Sequence, residues 1–590
     1  MRALLWVCAL ISSSFALWPQ PKHFEHGSST LWLSANVQLV HSSHSASTQP
    51  LGWFWITVQQ VIRPSHHGAP STVGWLSLSS ETLLQSAFER MKLKVLDGSF
   101  VPRKFYPRGA HFEPATDNPK CYIERIVIDE DPRNNLTSTG RHDRSEAYTI
   151  DVSEDGAALI KIASPLGGLH ALETFAQLFL THSSPSAGSY TPYAPLLIHD
   201  SPVFEHRGLN LDISRNWISP ADVMRTIEAM GANKLNRLHI HASDAQSWPL
   251  EIPALPELAL KGAYSPAQIW STEDLEAIQL HGTYHGVQVF TEIDLPGHTT
   301  SIGNAYPSLV TAKDMPWSEY ALEPPSGQLR LNSSEVPPFI QALLDDLLSR
   351  TSRHSSLFHL GGDELNMNAY RLDPTVRSSS HHILQPLVQA FIDLVISIAT
   401  AHSLTVIMWE EMVLDWNLTL PHQDVIIQTW RGSDDDALGT ILGKGYKTLF
   451  GSNAHWYLDC GYGYFVDPDP LNPDSPVRPP YLDYCSPYKN WRHMYAYDPV
   501  AGVPQSQRHL VVGGEVHLWG ELTDSINLDD MLWPRVAAAA EVMWSAPGKK
   551  PDESTTRRLA DMRERLVMRG IRAGVVQMEW CLRHQGGCRL

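Results

Sequence analysis

Between Gly208 and Trp519, eight short, strand-prone runs recur with helical stretches between them, and this alternation narrows the possible folds more than any other feature. The runs are Gly208 to Ile213, Leu235 to His241, Val287 to Ile293, Leu357 to Gly361, Leu404 to Trp409, Val425 to Thr429, Thr448 to Gly451 and Leu510 to Trp519. Strands separated by helices pair in parallel through βαβ crossovers, and eight is the number that closes such a sheet into a barrel. The first crossover carries its own punctuation: Ser219 as helix cap, Pro220 at the first helical position and Gly231 at the end. Trp533 to Trp544 and Arg557 to Gly570 read as helices that cover the barrel after its last strand. The expected fold is α/β, a (β/α)8 TIM barrel over residues 201–590.

A smaller α+β domain is expected before it, over residues 17–200. Leu83, Leu84, Ala87, Phe88 and Met91 share one face of a helix within Glu81 to Leu96, and Leu169, Leu172, Phe175 and Leu178 mark a second. Ala147 to Val152 and Ala158 to Ile162 alternate like strands with one wet face. No chemistry-bearing group gathers in this part of the chain.

Residues 1–16 read as a secretory signal peptide: Arg2 supplies the basic start, Ala3 to Ile11 the apolar core, and small residues precede a cut near Ala16. No later apolar run approaches the ~20 residues that span a bilayer. Sequons at Asn135, Asn332 and Asn417 agree with export. The destination is secreted, with a vacuolar or lysosomal address left open. The net charge of −18 excludes nucleic acid and anionic membrane surfaces as partners, since both require cationic surface.

Five cysteines remain after the signal. Cys581 and Cys588 can close a C-terminal loop, and Cys460 and Cys485 bracket a Pro- and Tyr-rich segment, Gly461 to Tyr495, too long for an ordinary connection. Cys121 is left unpaired, and its place before the strand-like Tyr122 to Ile128 run predicts a buried thiol.

The chemistry is expected at His359-Leu360-Gly361-Gly362-Asp363-Glu364. The apolar Leu357-Phe358 ends a strand, two glycines let the backbone leave it close to its neighbours, and two adjacent carboxylates arrive at the strand's C-terminal end, where barrels do chemistry. This hexad resembles the signature of the family 20 glycoside hydrolases, the β-N-acetylhexosaminidases, and the resemblance extends from about Leu17 to the C-terminus through further motifs in the same order.

The resemblance implies an exo-acting enzyme that removes terminal N-acetylglucosamine or N-acetylgalactosamine from β-linked oligosaccharides such as chitobiose, without metal or organic cofactor. It implies a general acid at Glu364, and at Asp363 a carboxylate that orients the substrate's 2-acetamido group. Arg207 in His206-Arg207-Gly208 is similar to a sugar-binding arginine, and Asp244 to an acid supporting the pair. His298, in Glu292-Ile293-Asp294-Leu295-Pro296-Gly297-His298, would hold Asp244 or Glu364. Trp409, Trp430 and Trp519 at strand ends match pocket tryptophans, and Tyr457, Asp459 and Glu521 match further sugar contacts. Ile240 and Ala245 depart from the family's usual Trp and Asp. Relatives are often dimers, so a homodimer is allowed.

Three other readings stay open. His239 and His241 form a His-x-His at a strand end, as in metal-dependent amidohydrolase barrels. The barrel could instead bind carbohydrate without turnover, or release a disaccharide.

Overall fold

The computed structural model describes residues 17–43, 78–98, 100–130, 145–184, 186–432, 436–468, 477–545 and 547–589. The proposed signal segment and the sequon at Asn135 lie outside the described residues.

The first part of the chain builds one mixed sheet from β1 (His23–Ser43), β2 (Tyr122–Glu130), β3 (Tyr148–Val152), β4 (Ala158–Ile162), β5 (Leu180–Thr181) and β6 (Ser189–Asp200). The beginning of β1 pairs antiparallel with β6, and its end runs parallel to β2. Ile150, Val152, Ile160 and Ile162 point inward from β3 and β4, as strict alternation requires. Helices α1 (Ser80–Lys92) and α2 (Pro165–Gln177) pack together, and α1 buries the five apolar residues expected of its inner face. Its cap is Ser79, whose hydroxyl accepts from the Thr82 amide.

Eight parallel strands then close a barrel: β7 (His206–Asp212), β8 (Arg237–His241), β9 (Gln288–Glu292), β12 (Leu357–His359), β13 (Thr405–Trp409), β14 (Val425–Gln428), β15 (Lys447–Phe450) and β16 (Val511–Leu518), which returns to β7. A small hairpin, β10 (Val310–Thr311) with β11 (Gln328–Leu329), lies between β9 and β12. Every residue of β7, β8 and β9 is buried, the pattern of strands covered on both faces. Each expected barrel strand is present, offset by one or two residues at its ends. Helix α3 (Pro220–Ala232) begins as read, with Ser219 accepting from the Asp222 amide, and runs just beyond Gly231.

The barrel interior carries ionisable side chains. Inward-pointing His206, His239, Glu292, His359, Glu515 and His517 are all buried, and carboxylates and imidazoles pair along the axis.

Three further expectations are refined. Both disulfides form, Cys460–Cys485 and Cys581–Cys588. Cys121, expected to be buried, is exposed: it lies before the inward-facing Ile123, and Tyr122 beside it is also exposed. The helix His381–Ala401 is long and apolar enough by composition to cross a membrane, contrary to the sequence reading. It instead packs Leu384, Val388, Ile392 and Val395 into the barrel's outer core.

Candidate active site

The hexad leaves β12 along a backbone path that its residues make possible. Gly361 and Gly362 have φ of 75° and 98°, and a Cβ at Gly361 would collide with the Asp294 carboxylate, which accepts from the Gly362 amide at 3.0 Å. Glu364 itself sits at φ 50°, as does His298. Two non-glycine residues in the left-handed region at one strand-end cluster indicate that surrounding contacts hold these side chains in place.

Asp363 is turned inward. Burial pushes its carboxyl up to about 6, with Glu364 and Glu292 adding to the rise and His298 opposing it. Asp294 is driven well above the usual carboxylate range by burial and by the neighbouring charge of Asp363. Asp363 Oδ1 is buried and accepts no hydrogen bond among the described residues.

His298 connects the acids. Its Nδ1 is 3.0 Å from Asp244 Oδ1 and its Nε2 3.5 Å from Glu364 Oε2. Burial alone would lower this imidazole, but Asp244 and Asp294 hold it well above its ordinary value, so it carries charge at neutral pH. Asp244 also accepts from His241 at 2.7 Å and pairs with Arg215 at 2.8 Å. Those cations overcome the burial that would otherwise raise it.

Aromatic side chains wall the cup beside these acids. Trp409, Tyr457 and Trp519 form one buried cluster with the Cys460–Cys485 disulfide, and Trp430 packs against it. Trp430 stacks on Tyr457 with ring centroids 6.4 Å apart, and Trp409 and Trp519 lie 6.0 Å apart. The walls are fixed from behind: the Trp409 indole donates to Glu292 at 2.9 Å and the Trp430 indole to Glu411 at 2.8 Å. Burial raises the Asp459 carboxyl to about 7, and its Oδ1 is buried with no partner among the described residues. Glu521 lies near Arg215 and Glu323, and burial raises it well above the carboxylate range despite the arginine.

The structure therefore brings together Asp363, Glu364, Asp244, His298, Trp409, Trp430, Tyr457, Asp459, Trp519 and Glu521. It does not bring Arg207 to them. Arg207 begins β7, at the opposite end of the barrel from the hexad, and its fully buried guanidinium pairs with Glu146 at 2.9 and 2.8 Å and donates to the carbonyls of Phe204 and Lys234. The arginine at the cup is Arg215. It pairs with Asp212, Asp244 and Glu323 and lies 5.1 Å from the Trp519 ring. It lies three positions beyond Asp212, the end of β7, so the rule that strand C-termini carry chemistry would have found it.

Sequence reasoning also missed Glu292 beneath the cup, Glu411 behind Trp430 and Tyr484 at the mouth. Tyr484 is 65% exposed, precedes the disulfide-bonded Cys485, and feels the charges of Asp459, Glu521, Glu364 and Glu323. His239 and His241, singled out as a metal-site pattern, are both held by carboxylates: Glu292 contacts each, Glu515 the first and Asp244 the second.

A parallel eight-stranded barrel with paired acids and an aromatic cup at its C-terminal mouth has the architecture of a glycoside hydrolase. Residues 204–547 match the model of the glycosyl hydrolase family 20 catalytic domain, and residues 17–178 match a beta-acetyl hexosaminidase-like model. A beta-hexosaminidase from Arthroderma benhamiae is 46% identical over 615 residues, covering 100% of both chains. A chitooligosaccharidolytic beta-N-acetylglucosaminidase from Bombyx mori is 30% identical over 528 residues, 86% of this chain and 83% of the relative. The fold is shared with a Vibrio harveyi GH20 exo beta-N-acetylglucosaminidase, with a TM-score of 0.70 and 19% identity over 96% of this chain and 79% of that one. A Streptomyces plicatus N-acetyl-beta-hexosaminidase shares it with a TM-score of 0.65 and 19% identity, over 95% and 96%. The chain belongs to glycosyl hydrolase family 20.

Proposed function

We propose that this exo-acting β-N-acetylhexosaminidase cleaves terminal N-acetylhexosamine by having the substrate's own 2-acetamido oxygen attack the anomeric carbon. The observation that carries this reading is the placement of the two acids. Retaining or inverting hydrolysis with two carboxylates sets them ~5 to 9.5 Å apart across the scissile bond. Asp363 and Glu364 are chain neighbours on one strand end, beside a single cup, and an enzyme that uses an internal nucleophile needs no second acid across the bond.

In the first step the acetamido oxygen forms a bond to C1 as the glycosidic C1–O bond breaks, and Glu364 gives its proton to the departing oxygen. Asp363 orients the acetamido N–H and stabilises the positive charge that develops on nitrogen in the oxazolinium ion. In the second step Glu364, now a carboxylate, takes a proton from water as that water bonds to C1 and the oxazolinium ring opens. Two inversions give net retention.

The unpartnered acceptors fit this assignment. Asp363 Oδ1 awaits the acetamido N–H, and Asp459 Oδ1 awaits a sugar hydroxyl. Arg215 takes the hydroxyl-binding role first expected of Arg207. The Tyr457 hydroxyl serves the acetamido oxygen, and the tryptophans keep its methyl group dry. Tyr484 offers an aromatic face to the departing sugar.

We further infer that the protein is exported. The signal-like residues 1–16, the two disulfides and the exposed sequon asparagines Asn332 and Asn417 support this. We place the division between the two domains near residue 200, between β6 and β7.

The test is the turnover of chitobiose by wild type and Glu364→Gln, with and without chelator. Loss of ~10²- to 10⁴-fold on substitution, and indifference to chelator, are expected. Full activity in Glu364→Gln would remove the assignment, and loss of wild-type activity with chelator would show that a metal ion takes part.

A further inference from the structure

Below the cup, Glu292 is a junction between groups with different tasks. Its Oε1 accepts from the Trp409 indole at 2.9 Å and lies 3.1 Å from His359 Nδ1 in the catalytic hexad. Its Oε2 lies 2.6 Å from His241 Nδ1 and 3.0 Å from His239 Nε2. One carboxylate, with no exposure to solvent, therefore touches a pocket wall, the strand that delivers the acids and two imidazoles.

From Glu292 the contacts continue upward without a gap. His241 Nε2 is 2.7 Å from Asp244 Oδ2, Asp244 Oδ1 is 3.0 Å from His298 Nδ1, and His298 Nε2 is 3.5 Å from Glu364 Oε2. They also continue downward: His239 Nδ1 is 3.0 Å from Glu515 Oε2, and Glu515 Oε1 is 2.7 Å from His206 at the barrel floor. Carboxylate and imidazole alternate along this column.

We propose that Glu292 is a positioning residue for acid catalysis, acting through His241, Asp244 and His298 to fix the orientation of Glu364. The proposal rests on the reading of Glu364 as the proton donor. The physical reason is charge alternation in a buried column. Burial favours neutral imidazoles, yet Glu292 and its neighbouring acids hold His241 well above its ordinary value and His239 at about 9. Burial would likewise raise Glu292, but His359, His241 and His239 pull it well below the carboxylate range. A charged His241 orients Asp244 more firmly than a neutral one, because both of its ring nitrogens donate. Replacing Glu292 with the neutral Gln leaves His241 with only Asp244 to sustain its charge, and the hold on His298 slackens.

The full-length enzyme, wild type and Glu292→Gln, is assayed on two N-acetylglucosaminides: a p-nitrophenyl glycoside, and a 2,4-dinitrophenyl glycoside whose departure needs little proton donation. The expected result is a kcat loss of ~10- to 100-fold on the first, the range for partners that orient reacting groups. KM stays within about twofold, the loss on the second substrate is much smaller, and Glu292→Asp recovers part of it. Equal loss on both substrates, or no loss on either, overturns the proposal. His241→Gln cuts the column between Glu292 and Asp244 while leaving Glu292 its other partners, and it must give the same leaving-group dependence, which keeps the test available if Glu292→Gln does not fold. A wild type inactive on both substrates would refute the hexosaminidase reading, whereas an active wild type with variants lacking this signature refutes only the role of Glu292.

Discussion

His298 stands with one ring nitrogen 3.5 Å from Glu364 and the other 3.0 Å from Asp244, so a single charged imidazole links the proposed proton donor to a buried acid. Its left-handed backbone, φ 50°, is the conformation that brings the ring to both. His298→Ala is expected to lower kcat/KM on nitrophenyl N-acetylglucosaminide by ~10- to 100-fold. Steady-state kinetics alongside a melting curve would check it, and unchanged kinetics would refute the link.

The pH dependence follows from Asp363. Burial pushes its carboxyl up to about 6, and in the proposed mechanism it must be ionised to stabilise positive nitrogen. Activity on N-acetylglucosaminides should therefore fall as pH drops through about 6. The stability sign runs the other way. A carboxyl raised in the folded state binds its proton more tightly there than when unfolded, so its cost appears as pH rises from about 4 through 6 and persists above. Asp363→Asn should abolish most activity yet raise Tm at pH 7.5, and the gain should vanish near pH 3.5. Thermal denaturation of both proteins across pH would measure this.

Arg207 and Glu146 join the N-terminal sheet to the barrel floor through two hydrogen bonds at 2.9 and 2.8 Å. Arg207→Ala leaves the Glu146 carboxylate buried without its main partner, a loss of about 3–5 kcal/mol in stability. KM of the surviving folded protein should remain unchanged. Denaturant unfolding and substrate titration separate the two effects, and a raised KM at unchanged stability would restore Arg207 to sugar binding.

Tyr484 is expected to act on the departing sugar alone. Stacking is worth about 0.5–1.5 kcal/mol, so Tyr484→Ala should reduce kcat/KM on chitobiose by ~2- to 10-fold. N-acetylglucosaminyl fluoride, whose leaving group has no ring to stack, should be turned over as before. Equal losses on both would place Tyr484 within the cup itself.

The hexad and the strand count were legible because both are local: eight runs and one contiguous motif survive without knowledge of what faces them. Arg215 was passed over because Arg207, at the opposite end of the same strand, fitted the expected order of residue types. Glu292 lay inside a recognised motif, yet its contacts come from β8, β12 and β13, far apart in the chain. Cys121 failed for a simpler reason: alternation decides burial residue by residue, and adjacency to an apolar run does not.

The proposed nucleophile is the substrate's own acetamido oxygen, with Asp363 and Glu364 steering and protonating. Replacing the hydrogens of the N-acetyl methyl group by fluorine, one at a time, withdraws electrons from that oxygen and leaves the rest of the substrate in place. With the acetamido oxygen as nucleophile, kcat on such nitrophenyl glycosides falls steeply with each fluorine; a rate indifferent to fluorination would contradict that role.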